Sequence, residues 1–218
     1  MKIGVFDSGI GGQSIANSLT QDFLDAEIMY VQDSEHVPYG GREETEIIEL
    51  TEKAIQPLLE SNCDCIVLAC NTASAAAIEY LRERYPQQKF VGLEPMIKPA
   101  AKATKSNVIA VCATPYTLSS QRYARLKKTY ASDITVLEPD CSDWAEMIEH
   151  NTVDDVKIER VVTDSLEQGA DVIVLACTHY HWIKEKIVSL VGDKAIVLEP
   201  SEAISRRVAS ILDMNFVA

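Results

Sequence analysis

The 218-residue sequence is short of positive charge: 20 lysines and arginines stand against 33 aspartates and glutamates, a formal net charge of −13. Such a surface repels phosphate backbones and anionic lipid, so neither nucleic acid nor a membrane is expected as a partner. Long hydrophobic runs are lacking too. The apolar stretch 172–177 is far shorter than a membrane span. The opening Met1-Lys2-Ile3-Gly4-Val5-Phe6 runs into a glycine-rich turn and is too short for the core of a secretory leader. A soluble, cytoplasmic protein is expected. The six cysteines, Cys63, Cys65, Cys70, Cys112, Cys141 and Cys177, include no C-x-x-C pair. A chain of this size needs no disulfide staple, so reduced thiols are expected. Nucleotide signatures are missing as well. Asp7-Ser8-Gly9-Ile10-Gly11-Gly12 leaves a strand and opens a helix, yet it fits neither G-x-G-x-x-G nor a P-loop. Its glycines would let backbone amides approach an anion closely.

What is present is an ordinary globular composition, 47% hydrophobic and 24% charged. Short apolar runs predict strands at 2–6, 28–31, 65–69, 90–93, 108–112, 134–137, 172–176 and 195–198. Amphipathic stretches between them predict helices at 12–21, 43–61, 74–85, 97–104, 119–130, 153–168, 182–191 and 202–213. Strands that are hydrophobic throughout, alternating with helices, indicate an α/β protein with a mostly parallel sheet covered on both faces.

The chain also echoes itself. Asp64-Cys65-Ile66-Val67-Leu68-Ala69-Cys70-Asn71-Thr72 returns 107 residues later as Asp171-Val172-Ile173-Val174-Leu175-Ala176-Cys177-Thr178-His179; more weakly, Leu93-Glu94-Pro95 recurs as Leu198-Glu199-Pro200, and the first strand has a counterpart at 108–112. A period of half the chain suggests two similar doubly wound α/β halves, related by a pseudo-two-fold, with the active site in the cleft between them. Packing alone makes buried parallel strands resemble one another, but that accounts for Ile-Val-Leu and not for Ala-Cys followed by an amide or a hydroxyl. Each cysteine closes a strand and precedes a helix, the edge at which parallel sheets hold their ligands. A helix amino end favours a thiolate. Two alternatives stand beside a facing pair of thiols: a disulfide, and a metal site using Cys177, His179 and His181. Isolated polar clusters at strand ends, Pro38-Tyr39-Gly40, Thr114-Pro115-Tyr116-Thr117 and Glu149, are further candidates, although such clusters more often serve as turns and caps.

Taken together, the stretches 4–12, Val37-Pro38-Tyr39-Gly40, Ala69-Cys70-Asn71-Thr72-Ala73-Ser74, 92–100 and Ala176-Cys177-Thr178-His179-Tyr180 resemble the glutamate racemases of the aspartate/glutamate racemase superfamily. The resemblance runs in order over nearly the whole chain. It implies two α/β subdomains, here 1–95 with 199–218 and 96–198, and a reaction without pyridoxal phosphate, any other cofactor or a metal. It implies L- and D-glutamate as the small-molecule substrates, with D-glutamate supplied to peptidoglycan, and leaves a homodimer open. By the same resemblance Cys70 would take the proton from D-glutamate and Cys177 from L-glutamate, assisted by Asp7 and His179, with Glu149 as a further acidic group. The substrate would be held by Ser8, Pro38, Tyr39, Gly40, Asn71, Thr72, Thr114, Thr117 and Thr178, together with Asp7, His179 and the two thiols. The chain departs from the family pattern at His181, where proline is usual, and at Ser34-Glu35-His36-Val37, which lacks the usual arginine. A related racemase acting on aspartate and a non-catalytic amino-acid-binding homologue are the alternatives. The thiol pair speaks against the latter, since simple binding has no use for it.

An amino-acid α-proton is a very weak acid, and inversion needs a base on one face and an acid on the other. One thiolate and one thiol that exchange roles with direction meet that need, because general acid–base groups work best with pKa values near the operating pH. The matched residues include no lysine or arginine, so hydroxyls, an amide and backbone N–H groups would bind the substrate.

Overall fold

The computed structural model describes residues 1–214. In chain order the elements are β1 (Lys2–Asp7), α1 (Gln13–Asp22), β2 (Glu27–Gln32), α2 (Glu44–Ala54), α3 (Gln56–Glu60), β3 (Cys65–Leu68), α4 (Asn71–Arg84) and β4 (Phe90–Gly92). There follow α5 (Ile97–Ala103), β5 (Val108–Cys112), α6 (Pro115–Ser119), α7 (Gln121–Tyr130), β6 (Thr135–Leu137), α8 (Trp144–Glu149), α9 (Asp155–Glu167), β7 (Val172–Leu175), α10 (Lys184–Val191), β8 (Ile196–Leu198) and α11 (Ser201–Leu212). Short 3-10 turns occupy Ile10–Gly12 and Thr178–Ile183.

The strands form two parallel four-stranded sheets, ordered β2-β1-β3-β4 and β6-β5-β7-β8. The second order is the first with every strand advanced by four, so the sequence echo is an echo of topology. Equivalent backbone bonds recur: Ala69 N–H donates to Phe6 O at 2.7 Å, and Ala176 N–H to Cys112 O at 2.8 Å. Both faces of each sheet are covered, which is why the strands read as unbroken apolar runs. On the first sheet Phe6, Ile66 and Leu68 pack with Ile47, Leu58 and Leu81, while Ile3, Val5 and Val67 meet Ile15, Leu19 and Val208. On the second, Ile173 and Leu175 pack with Ile158 and Ile187, and Ile109, Val111 and Val174 with Ile97 and Tyr123. Helix α11 returns to the first sheet, where Ile204 and Val208 join its core. Residues 215–218, assigned above to that half, lie outside the described residues.

Three expectations about helices are corrected. The helix expected over 43–61 is two, α2 and α3, because Pro57 opens α3 and can neither donate to nor clear the preceding turn. The helix expected over 119–130 begins at Gln121. Ser120 is extended (φ −67°, ψ 146°) and its hydroxyl accepts from Tyr123 N–H at 3.2 Å as an N-cap, which sets α6 apart. Helix α8 was not expected at all. It is six residues long, anchored by Trp144 packed edge-on against Tyr180 with ring centroids 5.2 Å apart, and it puts Glu149 at a helix end rather than a strand end.

Candidate active site

In each sheet the strand order reverses direction between the first and third strands, and there the crevice beyond the carboxyl ends opens for ligands. In the first sheet this point carries Asp7 at the end of β1 and Cys70 just past β3. In the second it carries Thr114 just past β5 and Cys177 just past β7. Two of these positions bond across the halves: the Thr178 hydroxyl donates to Asp7 at 2.8 Å, and the Thr114 hydroxyl meets that of Thr72 at 2.9 Å.

Cys70 caps α4, its Sγ accepting from Ala73 N–H at 3.4 Å and lying 3.3 Å from Ser8 Oγ. The helix end favours a thiolate, but burial, reinforced by the charge of Asp7, prevails and pushes the thiol up to about 12. Asp7 is wholly buried, and burial pushes its carboxyl up as well. Against that, His179, Gly9 N–H at 2.9 Å and the Thr178 hydroxyl at 2.8 Å all favour the charged form.

Cys177 is not the mirror image of Cys70. A 3-10 turn follows it in place of an α-helix, and its side chain caps nothing, so the expected helix-dipole help is absent there. The imidazole of His179 lies beside it instead. His179 Nδ1 lies 3.8 Å from Cys177 Sγ, and its Nε2 donates to Glu149 Oε2 at 2.7 Å. Burial works against a charged His179, yet the bonds to Cys177 and Glu149 lift it to about 10. Glu149 is correspondingly held below the usual carboxylate range, chiefly by its bond to His179.

The glycine-rich loop also differs from expectation. Its amides do approach anions, but these are the protein's own: Gly9 N–H bonds Asp7, and Ile10 N–H donates to Glu149 Oε2 at 3.2 Å. The glycines allow the two halves to touch. A Cβ on Gly9 would lie 2.6 Å from Glu149 Oε2, and one on Gly11 would lie 2.5 Å from the backbone nitrogen of His179.

The remaining predicted residues ring this centre. Thr72 and Thr114 hydroxyls meet across the halves at 2.9 Å, and Thr114 donates onward to Thr117 at 2.9 Å. Gly40 packs against Thr114, where a Cβ would come within 2.8 Å, and its carbonyl accepts from Tyr116 N–H at 3.1 Å. Pro38 follows a cis peptide bond. Tyr39 is buried with its hydroxyl committed to Asp33 at 2.7 Å, a contact that sequence reasoning did not reach. Asn71 is buried, and neither its amide oxygen nor its nitrogen has a partner among the described residues. The two thiols are free and 6% exposed. Among the described residues no three His, Cys, Asp or Glu side chains gather into a metal-binding group. His181 turns its Nδ1 to Ser14 rather than toward Cys177. Sequence reasoning also missed Ser14 and Tyr30, whose hydroxyl donates to Gly9 O at 2.7 Å. No helix among the described residues is long and apolar enough to cross a membrane.

Comparison with known proteins matches this arrangement. Glutamate racemase from Pseudomonas aeruginosa is 39% identical over 214 residues, 96% of this chain and 81% of that one. The crystal structure of Escherichia coli glutamate racemase in complex with L-glutamate and the activator UDP-MurNAc-ala superposes with a TM-score of 0.89 at 27% identity, over 99% of this chain and 84% of that one. That of the Francisella tularensis enzyme in complex with D-glutamate gives 0.79 at 28% identity, over 100% and 84%. With the model for Asp/Glu/Hydantoin racemases matching residues 13–207, and two thiols at the paired switch points of two like sheets, the chain belongs to the Asp/Glu/Hydantoin racemase family.

Proposed function

We propose that this protein interconverts L- and D-glutamate by a two-base mechanism in which Cys177 and Cys70 serve opposite faces of the α-carbon. The observation that carries the reading is the unequal surroundings of two equivalent thiols. Cys70, lifted to about 12 by burial and by Asp7, is a thiol at neutral pH and stands ready as the acid. Cys177 lies beside an imidazolium, since His179 at about 10 keeps its proton at neutral pH. Cys177 takes the α-proton from L-glutamate while the Cys70 S–H proton is delivered to the other face. The Cα–H bond broken on one side is replaced on the other, and the two sulfurs end with their protonation states exchanged. Running from D-glutamate, Cys70 is the base, with its sulfur supported by Ser8 and Ala73 N–H.

Substrate binding falls to the neutral groups of the rim: Ser8, the 38–40 loop, Asn71, Thr72, Thr114, Thr117 and Thr178. Asn71, buried with both ends of its amide unpaired, suits a ligand that offers both a donor and an acceptor, as an ammonium–carboxylate compound does. The division into 1–95 with 199–218 and 96–198 is supported by α11 packing on the first sheet.

The test separates the faces. Purified protein is incubated with L- or D-glutamate, and with L-aspartate for comparison, and followed by chiral chromatography. Cys70→Ser and Cys177→Ser should each lose racemisation. With a substrate analogue bearing a β leaving group, Cys70→Ser should still process the L-isomer and Cys177→Ser the D-isomer. Equal residual activity of one variant toward both enantiomers would overturn the two-thiol mechanism.

A further inference from the structure

His181 stands where the family resemblance leads one to expect proline, and its ring makes a contact that a proline cannot. The side chain is 7% exposed. It belongs to the Thr178–Ile183 turn, which also carries Thr178 and His179. Its Nδ1 lies 2.8 Å from the hydroxyl of Ser14, in the first turn of α1 on the other half, and that hydroxyl donates to Gly11 O at 2.9 Å. Serine has one hydroxyl proton, and Gly11 takes it. Nδ1 must then be the donor, which fixes the tautomer. Burial holds this histidine below its ordinary value, with Glu199 opposing and Lys184 adding to the effect, so the ring is neutral at neutral pH. Nε2 is therefore left bare, buried without a hydrogen-bond partner among the described residues and 3.7 Å from Glu199 Oε2. Nothing on that side holds the ring. The Nδ1 bond does.

Gly11 lies tight against the other half, where a Cβ would come within 2.7 Å of Thr178 and 2.5 Å of the backbone nitrogen of His179. We infer that His181 is a positioning residue for racemisation: by donating to Ser14 it locks the glycine-rich loop of one half against the thiol-bearing turn of the other, and so sets the spacing between Cys70 with Asp7 and Cys177 with His179. The inference rests on the racemase reading above.

The test uses Ser14→Ala, His181→Leu, His181→Asn and the Ser14→Ala/His181→Leu pair, with kcat and KM measured from both enantiomers. Loss of this bond should lower kcat by about tenfold, the equivalent of one hydrogen bond, in both directions, with KM changed much less. His181→Asn, whose amide N–H occupies the place of Nδ1, should restore most of the rate. The double variant should be no slower than Ser14→Ala alone, because that change already removes the bond His181→Leu removes, along with the Ser14–Gly11 bond. Should His181→Leu fail to fold, Ser14→Ala and His181→Asn carry the same comparison from opposite ends. A wild-type protein that racemises normally while Ser14→Ala matches it would overturn the positioning role. So would an Asn variant as slow as Leu, or losses that add. A wild type that racemises no amino acid would instead overturn the proposed reaction.

Discussion

Replacing Gly11 with alanine adds one methyl group where the glycine-rich loop lies against the Thr178–His179 turn of the other half. That Cβ would sit 2.5 Å from the backbone nitrogen of His179 and 2.7 Å from both the carbonyl carbon and the hydroxyl of Thr178. Carbon atoms pack at about 3.5–4 Å, so loop and turn must separate by roughly 1 Å. Two of the three obstructing atoms are backbone and cannot rotate aside. A separation of that size takes the 2.8 Å Thr178–Asp7 bond and the 3.2 Å Ile10–Glu149 bond beyond hydrogen-bonding range. Overpacking of this kind costs about 1–3 kcal/mol in stability, and misplacing catalytic groups by about 1 Å costs on the order of a hundredfold in rate. Gly11→Ala should accordingly fold with a lowered melting temperature and lose about two orders of magnitude in kcat from either enantiomer. Gly41→Ala is the matched control, since its Cβ would meet nothing within 4 Å. Circular dichroism polarimetry and thermal unfolding on the three proteins decide the matter. A Gly11→Ala protein with the wild-type kcat would refute the contact as a determinant of the site.

Glu149→Gln keeps a hydrogen-bonding group beside His179 but removes its charge, so the ring should fall from about 10 toward the ordinary histidine value. The alkaline limb of the kcat profile should then move toward neutral pH, and an unmoved limb would refute the assignment. The same raised value links to stability: the contribution of His179 is complete below about 6.5 and is lost as pH rises through about 10. Urea midpoints of the wild type should therefore fall across that interval, and those of His179→Gln should fall less. Thr114→Val removes the middle of the Thr72–Thr114–Thr117 chain and strands two buried hydroxyls. It should lower stability by about 1–3 kcal/mol in urea unfolding, and an unchanged midpoint would show that the chain contributes nothing.

Much of this was written in the sequence because its physics is local. The 65–70 and 172–177 stretches declare their strands through continuous apolar character, and each declares a thiol at the functional edge by ending in cysteine before a polar residue. Pro57 carried the break between α2 and α3 in plain view. The unequal treatment of the two cysteines was not legible. Whether a cysteine caps a helix depends on the few residues after it, and the Thr178–Ile183 turn winds as 3-10 where α4 winds as α. Contacts between distant segments were hidden altogether. Ile10 and Glu149 are 139 residues apart and His181 and Ser14 are 167, and no periodicity encodes such a pairing. The glycines of the loop suggested an external anion because a sequence does not show that a helix from the other half delivers a carboxylate to the same amides.

The near-complete burial of the thiols carries a consequence for affinity. If a substrate reaches sulfurs that are 6% exposed by a parting of the halves, the binding-competent form is a minority of the molecules in solution. The Asp7–Thr178, Ile10–Glu149 and Thr72–Thr114 bonds all cross the seam; exchanging these three for water at about 1 kcal/mol each already holds the parted form below about 1% of the population. The measured dissociation constant of glutamate would then be more than about a hundredfold weaker than the constant of the open cleft itself. Closing over the ligand recovers those same bonds. Tightness in this fold is therefore governed by how readily two like halves let go of one another as much as by the groups that line the space between them.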